Sequence, residues 1–395
     1  MKTIKDFDSN EKRVFLRVDF NVPLDEKGQI RDDMRIKAAL PTITYLLGQD
    51  AKLVVASHLG RPKCGFDPKL SLKPISKRLS ELIGKDVIQA PDIIGDTVDS
   101  LKKNLKNGDV LLLENLRFYK EEKANDPSFA QALAKDIDFY VNDAFACCHR
   151  AHASVIGITN HVKTCAAGFL LEKEVHYLEK IIHSPEKPFI AILGGAKVSD
   201  KITVMNNLIN KADAILIGGA MAYTFFAAQG LNVGHSLVDI DKKEIALSLL
   251  KQAQEKNIPF YLPEDHIVAK APEDGFETKI IEGLPIPPGL MGLDIGPRTI
   301  KKYSQVIAKA KMIFWNGPMG VFEKDSFSHG TREIARAVAK SSALSIIGGG
   351  DSVAAVYKAG VSENISHIST GGGASLEFIA NETLPGIEAL KECLK

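Results

Sequence analysis

No run of about 18 apolar residues occurs in this chain, so no membrane-spanning helix is expected. The opening Met-Lys-Thr-Ile-Lys-Asp has no apolar core of the kind a signal peptide needs, and a cytoplasmic location is expected. The five cysteines show no Cys-x-x-Cys spacing, and they read as free thiols in a reducing compartment. Net charge is only +1, so there is no global basic footprint for nucleic acid. Three phosphate-chemistry signatures are missing: the Walker A spacing, a Gly-x-Gly-x-x-Gly after a strand, and the His-Arg-Asp loop of protein kinases.

What remains is an ordinary globular composition, 45% hydrophobic and 25% charged over 395 residues, long enough for two domains. Residues 1–160 repeat one pattern, a short apolar strand followed by a polar cluster. Residues 14–18 lead into Asp19 and Asn21, and 53–56 into Ser57, His58 and Arg61. Residues 110–113 lead into Glu114 and Arg117, and 139–141 into Asn142, Asp143, His149, Arg150 and His152. Helices are expected over 34–47, 72–83 and 127–135, the first capped by Asp32 or Asp33 and carrying Arg35 in its opening turn. Alternating strands and helices predict a parallel sheet with helices on both faces, and ligands bind such sheets at the strand C-termini. A single arginine is ordinarily a surface charge. Four near one sheet edge, Arg35, Arg61, Arg117 and Arg150, indicate a pocket for a small, multiply charged anion. Cys147 and Cys148 beside His149 and His152 invite a zinc reading, but structural zinc sites space their cysteines by two to four residues, and plain thiols are expected.

Residues 170–183 place Leu171, Val175, Leu178 and Ile182 on one helical face, and the run Ser184 to Pro188 stops the helix. The domain boundary is expected here, with 1–169 before a connecting helix at 170–185 and 186–375 after it.

The second half alternates again with different punctuation. The strand at 189–193 ends in Gly194-Gly195 and then Lys197, Ser199, Asp200 and Lys201. If a helix has begun by Lys197, both lysines face one side of it. Other strands end in Gly218-Gly219, Asn316-Gly317, Gly348-Gly349-Gly350 and Gly371-Gly372-Gly373. Glycine lets a backbone approach a ligand closely. Helices opening after such turns offer free N–H groups to phosphate. The expected site binds a nucleotide, with lysines for its phosphates and Asp351 for magnesium. The short helix near 385–394 cannot stand alone and must dock on another part of the fold.

Six separated stretches, in order, closely resemble the phosphoglycerate kinase family: Arg17 to Pro23, Ser57 to Arg61, His149 to His152, Leu193 to Lys201, Trp315 to Phe322 and Gly348 to Ser352. The resemblance implies two α/β domains, each a doubly wound, Rossmann-like parallel sheet, joined by a hinge helix. It also implies a tail, after about residue 375, that returns to the first domain. The first domain would bind 3-phosphoglycerate or 1,3-bisphosphoglycerate through Asp19, Asn21, Arg35, His58, Arg61, Arg117 and Arg150. The second would bind magnesium-ATP or -ADP through Lys197, Lys201, Gly218, Gly292, Asn316, Glu323, Gly349, Gly350, Asp351 and Ser352. Glu323 resembles the residue on the ribose hydroxyls, and Asp351 the magnesium ligand. Gly371 and Gly372 resemble a helix start near the transferred phosphoryl. With Arg35 and Lys197 they make up the expected catalytic set. A monomer is the family's usual state. One departure stands out: the small residues the family commonly carries before His-Arg-Ala-His are replaced here by Cys147-Cys148. Another kinase of a small carboxylic acid, or a non-catalytic nucleotide-binding relative, are the alternatives.

Neither nucleophile of the implied reaction, a phosphate oxygen or a carboxylate, needs a general base at neutral pH. Catalysis would then rest on positioning and electrostatic stabilisation, with the two domains closing about the connecting helix to exclude water.

Overall fold

In a computed structural model describing residues 1–63 and 65–393, the chain forms two compact units. One is Met1–His176 together with the segment from Thr383, and the other is Tyr177–Glu382. The division falls within the helix Phe169–His183.

Unit 1 is built on six strands: β1 (Arg13–Arg17), β2 (Lys52–Ala56), β3 (Val87–Gln89), β4 (Val110–Leu112), β5 (Phe139–Asn142) and β6 (Thr164–Ala167). They lie in the order β3-β4-β2-β1-β5-β6, every pair parallel. The central strands are continuous apolar runs. Val14, Phe15 and Leu16 are all fully buried, as a sheet covered on both faces requires. Val14, Leu16, Leu53 and Val55 share one core with Ile36 and Ile43 of the first long helix, Met34–Gly48. Asp33 precedes that helix without capping it. Asp32 Oδ1 accepts the Met34 amide at 2.8 Å instead, while Asp33 pairs with Arg78 at 2.8 Å.

Unit 2 has a second six-stranded parallel sheet. Its strands are β7 (Phe189–Leu193), β8 (Ala214–Ile217), β9 (Phe260–Tyr261), β13 (Met312–Asn316), β14 (Leu344–Gly348) and β15 (His367–Ile368). Their order is β15-β14-β13-β7-β8-β9. A small antiparallel sheet of β10 (Asp265–Ala269), β11 (Lys279–Glu282) and β12 (Met291–Ile295) is inserted between β9 and β13. The sequence pattern did not announce it, because Pro and Gly interrupt the stretch and β11 is largely exposed. Ile192, Leu216, Ile313 and Trp315 from the parallel strands pack with Tyr303 and Ile334 from the helices in one core.

Each parallel sheet reverses its winding beside a central strand. In unit 1 β2 and β5 flank β1; in unit 2 β13 and β8 flank β7. The crevice outside the strand C-termini at such a switch point is where open α/β sheets bind ligands.

One cysteine expectation is overturned. Cys165 of β6 and Cys393, just past the last helix, are joined by a disulfide with their Cα atoms 6.0 Å apart. The pairing spans 228 positions of sequence, so no local spacing could reveal it. Cys147 and Cys148 remain free and buried.

Candidate active site

At the C-terminal edge of the unit 1 sheet, loops after β1, β2, β4 and β5 converge. Asn115 holds two of them together: its Oδ1 accepts the Leu59 amide at 3.1 Å and its Nδ2 donates to Leu59 O at 2.8 Å. Asn21 Oδ1 accepts the Gly60 amide at 2.8 Å, and Arg117 Nη1 donates to Gly60 O at 2.6 Å. Asp19 pairs with Arg35 and stands 3.8 Å from His58 Nδ1. Arg150 is half-buried and donates from Nε to His149 Nε2 at 3.0 Å. Arg61 is exposed on the same loop as Gly60, and no hydrogen bond or ion pair joins it to the others among the described residues.

Beneath these groups lies Arg17, the last residue of β1 and fully buried. Its Nε donates to Ser154 Oγ at 2.9 Å, and its Nη2 lies 3.4 Å from His58 Nδ1 and 3.5 Å from Cys147 Sγ. Ser154 in turn donates from N and Oγ to buried Glu122 at 2.9 and 2.6 Å. The sequence shows Arg17 and Glu122 only as charges. Burial between distant loops makes them the support of the site, and the single legible signal was an arginine ending an otherwise apolar strand.

The electrostatics favour an anion. Burial, then the neighbouring Arg17, Arg117 and Arg35, hold His58 well below its usual imidazole range. Burial and the same kind of neighbours bring His152 down to about 3. Both imidazoles are therefore neutral, and the arginines carry the charge. Arg117 Nε is buried without a partner among the described residues, which leaves one donor of this edge unsatisfied. The donor atoms of Asp19, His58 and Cys147 lie within 4.8 Å of one another, but Arg17 and Arg35 crowd the same atoms and oppose a cation. Burial pushes the Cys147 thiol up to about 11, so it is a neutral wall of this pocket. Cys148 Sγ turns the other way, toward Asn142 and Ala144 O.

At the corresponding edge of unit 2, three turns interlock through backbone alone. The amides of Gly194 and Gly195 donate to Asn316 O and Pro318 O, both at 3.0 Å, and Gly219 N donates to Met319 O at 2.8 Å. A Cβ on Gly194 would lie 2.1 Å from Pro318 O, and one on Gly218 would meet Met319 Sδ at 2.4 Å. Ser352 Oγ accepts the Gly317 amide at 2.5 Å, tying the next helix, Gly350–Lys358, to the same turns. That helix begins after Gly349, with Asp351 exposed in its first turn. Asn316 is buried, with its Nδ2 beside Gly349 and unpartnered among the described residues. Gly372, at φ +56°, precedes the helix Gly373–Asn381.

One detail departs from the sequence reading. The chain after Gly195 is not helical at Lys197; a 3-10 turn begins at Ser199 and the α-helix at Ile202. Lys197 is exposed on the loop, whereas Lys201 is half-buried with its ammonium close over Gly195. Burial pulls Lys201 below its ordinary value, with Asp200 and Asp351 pulling the other way. Gly292 lies in β12, where its amide donates to Ser236 Oγ at 2.9 Å and the Tyr223 hydroxyl fills the space of a side chain. Local packing already accounts for a glycine there. Glu323 is exposed on the loop after β13.

Comparison with known proteins follows the same lines. The family model described as "Phosphoglycerate kinase" matches residues 4–382. A phosphoglycerate kinase of Anaeromyxobacter sp. (strain K) is 55% identical over 394 residues, covering 99% of this chain and 100% of the relative. One from Koribacter versatilis is 55% identical over 396 residues, covering 98% of each. The solved structure of phosphoglycerate kinase from Coxiella burnetii superposes with a TM-score of 0.91 at 39% identity, covering 100% of this chain and 99% of that one. That from Pyrococcus horikoshii OT3 gives 0.85, also at 39% identity, with the same coverage.

Proposed function

The chain belongs to the phosphoglycerate kinase family, and from that membership we propose how its residues divide the work. The family's reaction is reversible phosphoryl transfer between 1,3-bisphosphoglycerate and ADP, giving 3-phosphoglycerate and ATP, in glycolysis and gluconeogenesis. The observation that carries the assignment of unit 1 to the acid is its edge of arginines, with neutral imidazoles between them and Arg117 Nε unpartnered.

Arg61, Arg117 and Arg150 hold the phosphate that does not react, since guanidinium forks match its oxygens. Asp19, Asn21 and His58 orient the hydroxyl and carboxyl end. In unit 2, Lys201 holds a nucleotide phosphate over the Gly194-Gly195 turn, Asn316 Nδ2 donates to a nucleotide oxygen, and Glu323 accepts from the ribose. Gly218, Gly292, Gly349, Gly350 and Ser352 complete the nucleotide set. Arg35 and Lys197 neutralise charge on the moving phosphoryl, and the N–H groups following Gly371 and Gly372 face the same charge. No side chain needs to take a proton, because both nucleophiles are already ionised.

An exposed carboxylate beside a phosphate-binding lysine suits Mg²⁺, which is commonly held by one or two carboxylates plus substrate phosphates. Asp351 is the residue here that would hold it, and bound magnesium would neutralise phosphate charge. In-line transfer requires both reacting oxygens on one phosphorus atom. We therefore propose that the two ligands are brought together by movement about the connecting helix, which small-angle scattering with and without both substrates tests. The protein is proposed to act in the cytoplasm as a monomer, without nucleic-acid or membrane partners.

A coupled assay with 3-phosphoglycerate, magnesium and ATP decides the reading. Transfer to 3-phosphoglycerate supports it. Transfer only to another carboxylic acid, or nucleotide binding without transfer, would replace it.

A further inference from the structure

We propose that Cys165 and Cys393 are a reversible redox clasp that fixes the last helix against the Arg150 loop and so sets affinity for the acid substrate. The link to affinity rests on the reading of unit 1 given above; the clasp itself does not.

The last helix, Pro385–Glu392, has eight residues, too few to persist in water unaided. It is held at both ends. At its start the Gly386 amide donates to Cys148 O at 2.8 Å. A Cβ on Gly386 would meet Val155 Cγ1 at 2.7 Å and Cys148 Cα at 3.0 Å, so backbone lies directly on backbone. At its end Cys393 is bonded to Cys165. The surface beneath Gly386 is the underside of the substrate loop: the Arg150 amide donates to Cys147 O at 3.1 Å, and the His152 amide to Arg150 O at 2.9 Å. Freeing one end of the helix removes support from the loop that carries Arg150.

The chemistry needs an external disulfide, of a small thiol or a dithiol protein. Cys393 is half-buried and Cys165 buried in its strand, so Cys393 reacts first. Its thiolate attacks the external disulfide, forming a mixed disulfide and expelling one thiol. The Cys165 thiolate then attacks the Cys393 sulfur and expels the second. Two protein thiols are oxidised, one external disulfide is reduced to two thiols, and the protons leave on those thiols. Excess external thiol reverses both steps.

The full chain is equilibrated with oxidised or reduced glutathione, alkylated, and mapped by mass spectrometry without reduction. Hydrogen exchange and steady-state kinetics are measured on both forms and on Cys393→Ser. A linked Cys165–Cys393 peptide is expected in the oxidised form only. Reduction should speed exchange in residues 144–152 and 384–393. It should raise KM for 3-phosphoglycerate at least about threefold, with kcat and KM for ATP changed less than about twofold. Cys393→Ser should match the reduced form in either buffer. Free thiols at both positions under oxidised glutathione, unchanged exchange after reduction, or a redox response persisting in Cys393→Ser would overturn the clasp. Changed exchange in a protein that does not phosphorylate 3-phosphoglycerate would uphold the clasp and reject the functional reading instead.

Discussion

At the scale of single residues, the proposed function turns on where charges are placed. Arg150 is half-buried, donates to His149 at 3.0 Å and is among the cations that hold the His152 imidazole neutral. Arg150→Ala is expected to raise KM for 3-phosphoglycerate by roughly 10–100-fold, the loss of a charge-assisted contact of about 1.5–3 kcal/mol. KM for ATP should stay nearly constant, and steady-state kinetics check both. Lys197 is exposed on its loop and is proposed to meet charge chiefly on the moving phosphoryl. Lys197→Ala should therefore depress kcat strongly with smaller effects on either KM; unchanged turnover with a higher KM for ATP would make it a binding residue. His152 gives a pH prediction. Its folded pKa is about 3, far below the value of about 6.5 in an unfolded chain. The unfolded state thus takes up the proton first as pH falls. The stability it contributes is complete above about pH 6.5 and is lost on acidification toward pH 3, by up to about 1.4 kcal/mol for each pH unit. Urea midpoints measured from pH 7.5 to 5 should fall less steeply in His152→Gln than in the parent chain.

At the scale of elements, the turns after the strands do the positioning, and they do it with backbone. Gly194 sits so close to Pro318 O and Gly317 O, 2.1 and 2.7 Å from a built Cβ, that only a backbone shift could admit a methyl group. Gly194→Ala is expected to cost about 1–3 kcal/mol through overpacking. Calorimetry should show a lowered melting temperature and titration a weakened affinity for ADP, with binding of 3-phosphoglycerate retained. The connecting helix shows the same economy. Asp143 Oδ1 accepts the amides of Leu170 and Leu171 at 2.9 and 3.1 Å, and a Cβ at Gly168 would fall 2.3 Å from that oxygen. The glycine before this helix makes room for the carboxylate that satisfies its first amides.

At the scale of the whole molecule, the chain leaves unit 1, builds unit 2 and returns at Thr383. The Cys165–Cys393 bond closes that excursion, a loop spanning 228 positions. Chain entropy alone assigns such a closure up to about 5 kcal/mol of stabilisation, through restriction of the unfolded state. Denaturant unfolding of unit 1 with and without reductant should separate the two forms, the reduced one having the lower midpoint. Coincident curves would mean that the last helix holds its place without the bond.

The sequence by itself determined the alternation of strands and helices, because buried parallel strands must be apolar and their ends must turn. It also determined most of the residues proposed for the site, because the chemistry of each sheet edge lies within a few positions of a strand end: Asp19 after β1, His58 after β2, Arg117 after β4, Gly194 after β7, Asp351 after β14. Only the tertiary structure decided what lies beneath. Arg17, at the end of β1, and Glu122, in the helix Lys120–Ala124, acquire their roles by being buried around Ser154, although they are 105 positions apart in sequence. Asn316 Nδ2 is buried beside Gly349 with no partner among the described residues. Lys197 and Lys201 are separated by a delayed helix start that the pattern of residues did not show. Cys165 finds Cys393 only after the chain has passed through another domain. Periodicity and spacing record interactions between near neighbours. Contacts closed across the fold leave no period in the chain, and the protein's buried charges and its disulfide are of that kind.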